Sequence, residues 1–334
     1  MKNVLVTGAA GLIGKNLCDF LHKKGYFVVA IDDLSGSYRE HIPSADIFRK
    51  INLSSDDELF SIKSIFSKYN FDTVYHLAAY AAEGLSPFIR NYNYRNNLIS
   101  TVNIINNCIK YKVKRLVFTS TMAVYGGIGT PFKETQYPKP IDPYGVSKLA
   151  CELDIKIAGD QHGLEWVILR PHNVYGPWQN IWDKYRNVLG IWMHQILKGE
   201  PLTIYGDGEQ KRAFSFLEDY LESIEILGYL DTGKNNIYNI GSDEYYSILE
   251  AANILKKVVG VPDYPVIFLD KRHEVKNAYS NHDKIKNLFP NIKETSLEDG
   301  LNIMWNWAKN QPVRKQKEWL NYELDEGVYN FWKK

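Results

Sequence analysis

The stretch VLVTGAAGLIGKNL, residues 4–17, constrains this chain more than any other. An apolar, β-branched run ends in Gly8, Gly11 and Gly14, and an amphipathic helical pattern follows at once. A strand-to-helix turn closed this tightly needs glycine, because a Cβ would block close approach of a ligand to the backbone. The helix then points free N–H groups and a partial positive charge at the same place, which suits a pyrophosphate. The spacing is G-x-x-G-x-x-G rather than the commoner G-x-G-x-x-G, and a glycine triad by itself also serves ordinary turns. Context strengthens it: the second strand, FVVAID, ends at Asp32, 18 residues beyond Gly14, where a carboxylate holds ribose hydroxyls. That acid repels a 2′-phosphate and no arginine follows it at once, which favours NAD over NADP. Asp33 is placed to share the role. Gly8, Gly11, Leu12, Ile13, Gly14 and Asp32 are therefore the expected cofactor contacts at this end.

Up to about residue 170, short apolar runs alternate with helical stretches. The strand candidates are NVLVT, FVVAID, DIFRKIN, DTVYHLAA, RLVFTST and EWVILRP; IGKNLCDFLHKKG and NNLISTVNIINNCIKYK read as helices. Near-continuous apolar strands separated by helices imply an α/β fold, a Rossmann-like doubly wound parallel sheet covered on both faces. Residues 1–172 form this domain. Beyond it the chain turns rich in Pro, Gly, Trp and Tyr with scattered helices, such as NVLGIWMHQILKG and SILEAANILKKVVG. This predicts a smaller α/β substrate-binding lobe over 173–334, with part of 211–243 returning to the first domain. The tail RKQKEWLNYELDEGVYNFWKK is expected to be a helix or arm on the surface, with no assigned chemistry. Repeats and low-complexity tracts are absent, which excludes a solenoid.

Composition removes other classes. A formal charge of +1, with 24% charged residues, gives no reason to expect nucleic acid or an anionic membrane as partner. The three cysteines, Cys18, Cys108 and Cys151, are far apart and odd in number, as expected of reduced thiols in a cytoplasmic protein. The eight histidines show no ligand spacing, so no metal is expected. The chain opens directly on a strand, without a cleavable signal, and contains no apolar run long enough to span a membrane.

The stretch DPYGVSKLACELD places Tyr144 and Lys148 four apart on one face of a helix that opens at Pro143. A free tyrosine, with a pKa near 10, is a poor base at neutral pH. A nearby ammonium and an oxidised nicotinamide both favour the phenolate, which then takes a proton from a sugar hydroxyl. Upstream, TSTMAVYG carries hydroxyls at Thr119, Ser120 and Thr121 on a strand end.

Together, TGAAGLIG, the Asp ending the second strand, TSTMAVYG, Tyr144-x-x-x-Lys148 and RPHNVYGP identify the chain as resembling extended short-chain dehydrogenases/reductases. It looks like a nucleotide-sugar epimerase of the UDP-glucose 4-epimerase type, over residues 1 to about 310. The resemblance implies that Thr121 hydrogen-bonds the reacting sugar oxygen, Tyr144 is the base, and Lys148 tunes it and holds the nicotinamide ribose. It implies that Leu77, Ala78 and Ala79 run beneath the NAD, and that Asn97 lies near it, with Asn96 equally placed. It implies that Asn173 contacts the nucleotide sugar and that Arg212 and Arg272 clamp its diphosphate. Ala213 follows Arg212 where the family has an acid, so the guanidinium's partner is either missing or supplied elsewhere. His172 stands where relatives carry an aromatic residue, as a hydrogen-bonded wall or a sugar contact. Ala278 falls at the gatekeeper position beside the sugar's 2-substituent and leaves room for an N-acetyl group.

Relatives that dehydrate sugars place Asp–Glu directly after the threonine, because removing water needs an acid and a base beyond the tyrosine. Met122 and Ala123 do neither. The expectation is redox-neutral epimerisation at carbon 4 of a UDP-hexose, with NAD as cofactor and a homodimer as the assembly. The rivals are a nucleotide-sugar ketoreductase with net redox turnover and a non-catalytic binder of NAD or a sugar nucleotide.

Overall fold

The computed structural model describes residues 2–315, 318–319 and 321–333. In chain order it runs β1 (Asn3–Thr7), α1 (Leu12–Lys23), β2 (Phe27–Asp32), β3 (Ile47–Lys50), α2 (Leu59–Lys68) and β4 (Thr73–His76). There follow α3 (Arg90–Tyr94), α4 (Ser100–Lys110), β5 (Arg115–Thr119), α5 (Pro143–His162) and β6 (Glu165–Pro171). Next come β7 (Val174–Tyr175), α6 (Val188–Lys198), β8 (Leu202–Tyr205), β9 (Lys211–Ala213), β10 (Ser215–Phe216), α7 (Leu221–Leu227) and β11 (Asn236–Ile240). β12 (Tyr245–Ser247), α8 (Ile248–Val259), β13 (Val266–Leu269), β14 (Asn277–Ala278), α9 (Asp283–Leu288) and α10 (Leu297–Ala308) complete the regular elements.

Seven strands form one parallel sheet in the order β11-β6-β5-β4-β1-β2-β3. Its strands read as unbroken apolar runs because both faces are covered. Leu5, Val29, Val74, Leu116 and Ile168 face one core with α2, α4 and α5. Val4, Val28, Tyr75, Val117 and Leu169 face the other, with α1 and α7. Strand order reverses between β1 and β4, and this opens a crevice at the carboxyl ends of the strands. A separate hydrophobic cluster packs α6, α8 and α10 with Trp182, Trp192 and Met193 at its centre.

Local chemistry sets the helix ends. Asp142 Oδ1 accepts the Gly145 N–H (2.8 Å), Pro143 occupies the first turn, and α5 stops at Gly163, whose φ of 72° is left-handed. Asn187 caps α6 and Ser247 caps α8 in a capping box with Glu250. The helix expected over NNLISTVNIINNCIKYK begins instead with one π turn, Arg95–Ile99, before α4.

The tail is not a surface arm. Val328 and Trp332 are 4% and 3% exposed and pack with Leu85, Phe88 and Tyr185. Glu323 accepts the N–H groups of Asn91 (2.6 Å) and Tyr92 (2.8 Å), which satisfies donors at the start of α3. Of this segment, Gln316, Lys317, Leu320 and Lys334 lie outside the described residues.

Candidate active site

The turn after β1 holds Gly8 at φ +66°; a Cβ there would stand 2.7 Å from the Ala78 backbone, and one on Gly14 would stand 2.1 Å from the Gly8 carbonyl oxygen. The glycines thus seat α1 on the strand ends and bare the backbone toward the cleft. Asp32 Oδ2 accepts the Ala10 N–H (2.9 Å) and Oδ1 the Leu34 N–H (2.7 Å). Burial pushes its carboxyl up, and those two N–H groups pull it back. Leu12 and Ile13 line the cleft, as do Leu77, Ala78 and Ala79 beyond β4. A turn bounded by Gly8 and Gly11, helix N–H groups and an acid at the end of β2 fit a dinucleotide.

Asn97 does not face this cleft. Its Oδ1 accepts the Tyr80 N–H (2.8 Å) and its Nδ2 donates to Asn93 (2.8 Å), so it braces the segment after β4 from behind. Asn96 lines the cleft instead, together with Asp33. Both asparagines sit in the π turn, where an α-helical period no longer says which side chain points where. Arg186, from the loop before α6, also reaches this side. Its guanidinium stacks on Tyr80 (4.8 Å) and lies 3.1 Å from Asp183. Nothing in the sequence singled it out.

Next to the glycine turn, a cleft of about 430 Å³ gathers Thr121, Tyr144 and Lys148. Lys148 Nζ donates to the Thr119 carbonyl (2.7 Å) over the Phe118 ring (4.6 Å), and burial lowers its pKa to about 8. The Tyr144 phenol is pushed up, not down. Burial dominates, the Thr121 hydroxyl pulls it down, Glu83 and Asp142 push it up, and Arg186 pulls it down. The ammonium and the oxidised nicotinamide are expected to favour the phenolate together; in the structure the Lys148 ammonium turns to the Thr119 carbonyl, and burial outweighs the Thr121 hydroxyl at the phenol. The oxidised cofactor carries the further positive charge that favours ionisation.

Thr121 Oγ1 accepts the Ala123 N–H (3.1 Å) and so shapes the TSTMAVYG turn; Met122 lines the cleft, and that stretch contains no acid. Three acids line the cleft from elsewhere, Glu83, Asp142 and Glu274. Asp142 is pushed up to about 7 by burial and by Glu83, and its Oδ2 is buried without a partner. Behind the site, Glu152 of α5 accepts from Ser120 Oγ (2.5 Å) and from Arg170 Nε (2.9 Å) and Nη2 (2.5 Å).

At the far end, His172 lines the cleft with both ring nitrogens engaged by protein: Nε2 meets His282 Nε2 (2.8 Å) and Nδ1 the Ala213 carbonyl (3.3 Å). Burial and His282 lower its pKa to about 3. It is a neutral, hydrogen-bonded wall rather than a free hydrogen-bonding contact. Asn173 adopts φ +40°, a conformation asparagine tolerates, and donates to Ala213 O (2.8 Å). Arg212 finds its acid in Glu274 (3.0 Å), with the carbonyls of Lys211, Val275 and Lys276 taking its other donors. Arg272 shares Glu274 (3.4 Å) and stacks on Tyr205 (4.2 Å). Ala278, 2% exposed, pairs with Arg212 across β14 and β9 and lines the cleft. The tail adds Tyr329 to the wall, its hydroxyl accepting the His273 N–H (3.1 Å). Among the described residues no group of side chains is placed to hold a metal, and no helix is long and apolar enough to cross a membrane.

A doubly wound sheet, a glycine turn facing an acid on β2, and a tyrosine–lysine pair in the same cleft define a short-chain dehydrogenase/reductase of the extended kind. The chain matches the NAD dependent epimerase/dehydratase family over residues 4–241, and it belongs to that family. It is 28% identical to a UDP-glucose 4-epimerase of Halalkalibacterium halodurans over 325 residues, covering 92% of this chain and 96% of the relative. It is 30% identical to a UDP-glucuronate 4-epimerase of Thermodesulfobacterium geofontis, covering 92% and 97%. Its fold superposes on the UDP-glucose 4-epimerase of Thermotoga maritima, solved with UDP-glucose, with TM-score 0.85 at 30% identity, covering 91% and 98% of the two chains. The protein is an NAD-dependent enzyme of the nucleotide-sugar epimerase type.

Proposed function

We propose that the protein interconverts the C4 epimers of a UDP-hexose through a transient 4-keto sugar. The observation that carries this reading is the cleft itself: Thr121, Tyr144 and Lys148 face the glycine turn, and Met122 and Ala123 stand where a dehydrating site needs its acid pair. Tyr144, as phenolate, takes the proton from O4, and Thr121 holds that oxygen by a hydrogen bond. NAD, held by the glycine turn and Asp32, would supply a hydride acceptor at C4 that gives the hydride back to the same carbon. Lys148, with one of its three donors spent on Thr119 O, keeps the others for the nicotinamide ribose. Arg212 and Arg272 hold the diphosphate, so the keto sugar turns about a fixed anchor and presents its other face to Tyr144. The sugar is fixed at one end and the site stays assembled, so positioning supplies most of the acceleration.

Ala278 supports a pocket that admits an N-acetyl group at C2 as well as a hydroxyl. Val146, Leu153 and Ile157 are exposed along one side of α5, beside exposed Ile99, and this apolar stripe supports pairing with a second copy of the chain. The three buried free thiols support a reducing compartment.

Proton NMR of purified protein with UDP-glucose, and separately with UDP-N-acetylglucosamine, without added cofactor, tests the reading. Growth of the UDP-galactose or UDP-N-acetylgalactosamine anomeric signal is expected. Silence with both sugars, in protein that holds NAD, would overturn it; conversion of UDP-glucose alone would overturn only the role of Ala278.

A further inference from the structure

Resting on the epimerase reading, we propose that Glu83 selects the sugar: it admits an uncharged UDP-hexose and rejects a UDP-uronate. The hexose has to lie between the diphosphate arginines and Tyr144, and the turn Glu83–Phe88 runs along that interval. At one end, Gly84 lies against the clamp; a Cβ there would stand 3.3 Å from Arg272 Nη1. At the other end, Ser86 Oγ donates to the Glu83 carbonyl (2.8 Å) and accepts the Tyr144 N–H (3.2 Å). Glu83 lines the cleft between them.

Burial pushes the Glu83 carboxyl up, Arg212 and Arg272 pull it down and Glu274 pushes it up, while Glu83 in turn pushes Asp142 and Tyr144 up. Among the described residues, its carboxylate makes no hydrogen bond or ion pair. An acid held in a partly dry cleft with no protein partner is costly unless a ligand completes it. Asp142 Oδ2, buried and unpartnered, adds a second free acceptor in the same region.

Hydroxyls are the donors such an acceptor takes, and a hexose brings several. A uronate would bring another carboxylate instead. The cations that line the cleft serve other groups: Arg212 and Arg272, which share Glu274, the diphosphate; Lys148 the Thr119 carbonyl and the nicotinamide ribose; Arg186 the Asp183 carboxylate on the cofactor side. Two like charges roughly 5 Å apart at an effective dielectric of about 20 weaken binding by about 300-fold.

Dissociation constants of UDP-glucose and UDP-glucuronate for the NAD-loaded protein, wild type and Glu83→Gln, test this at about pH 9, because burial pushes the Glu83 carboxyl above the usual carboxylate range. The wild type is expected to bind the uronate at least about 30-fold more weakly than the hexose. In Glu83→Gln, whose amide keeps the shape, the gap closes to less than about fivefold, chiefly through tighter uronate binding, with the melting temperature unchanged. Equal binding by the wild type, or the same gap in the variant, would overturn the proposal. UDP-glucose turnover alongside equal uronate binding refutes Glu83 alone. Discrimination without turnover of any UDP-hexose refutes the epimerase reading and leaves Glu83 standing.

Discussion

Glu152→Ala cuts the tie that fastens the Tyr144 helix to the strands beneath it. Glu152 lies eight residues beyond Tyr144 on α5, fully buried, and accepts from Ser120 at the end of β5 and from Arg170 on β6. Arg170 is 1% exposed, and its Nη1 already lacks a partner. Removing the carboxylate leaves a buried guanidinium without its counter-ion and Ser120 without its acceptor. Breaking a buried pair in this way costs about 3–5 kcal/mol. Unfolding entropy of about 2.1 cal/mol/K per residue amounts to roughly 0.7 kcal/mol/K over 334 residues, so Tm falls by about 4–7 °C. Differential scanning calorimetry near neutral pH reads the shift. The double variant Glu152→Leu/Arg170→Met, which removes both charges and keeps the volume, returns to within about 1 kcal/mol of the wild type. A single-variant drop below about 2 °C, or a double variant no better than the single, would refute the reasoning.

Tyr144→Phe keeps the fold and NAD and loses the proton transfer at O4: kcat falls by about 10²–10⁴ while UDP-sugar affinity, measured by calorimetry, changes little. His76 and His172 are held at about 3 and His41 at about 4 in the folded chain, so the unfolded chain binds three protons that the folded chain refuses, while Asp142, at about 7, takes one back on folding. Stability falls by about 2.7 kcal/mol per unit as pH drops from about 6 to about 5, as urea titrations at stepped pH would show. Leu153 is 52% exposed, so Leu153→Asp leaves the folded chain intact, and under the proposed pairing through α5 it lowers the sedimenting mass from that of the wild type to that of one chain; an unchanged mass rules out the α5 face as the contact.

The parallel sheet was legible because its strands are buried on both faces and carry little besides apolar residues. The glycine turn was legible because backbone contact leaves no alternative to glycine, and the start of α5 because Pro143 suits only a first turn. What escaped the sequence depends on distant segments meeting. Glu274 becomes the acid for Arg212 only through the pairing of β9 with β14. His172 is closed off by His282, 110 residues away. Asn96 and Asn97 exchange places because a π turn slips the helical phase. Tail aromatics read as surface decoration until Val328 and Trp332 find Phe88 and Tyr185. Glu83 and Asp142 each look like an ordinary turn residue, and only the fold brings them to one cleft with Tyr144.

The central claim is that the hydrogen leaving C4 returns to C4. UDP-glucose deuterated at C4, incubated with the protein in ordinary water and followed by NMR and mass spectrometry, tests it directly. UDP-galactose that keeps its deuterium at C4, with no build-up of reduced cofactor or ketone, is the predicted result. Epimerised product that has exchanged its deuterium with water, or a keto sugar accumulating against NADH, would contradict it.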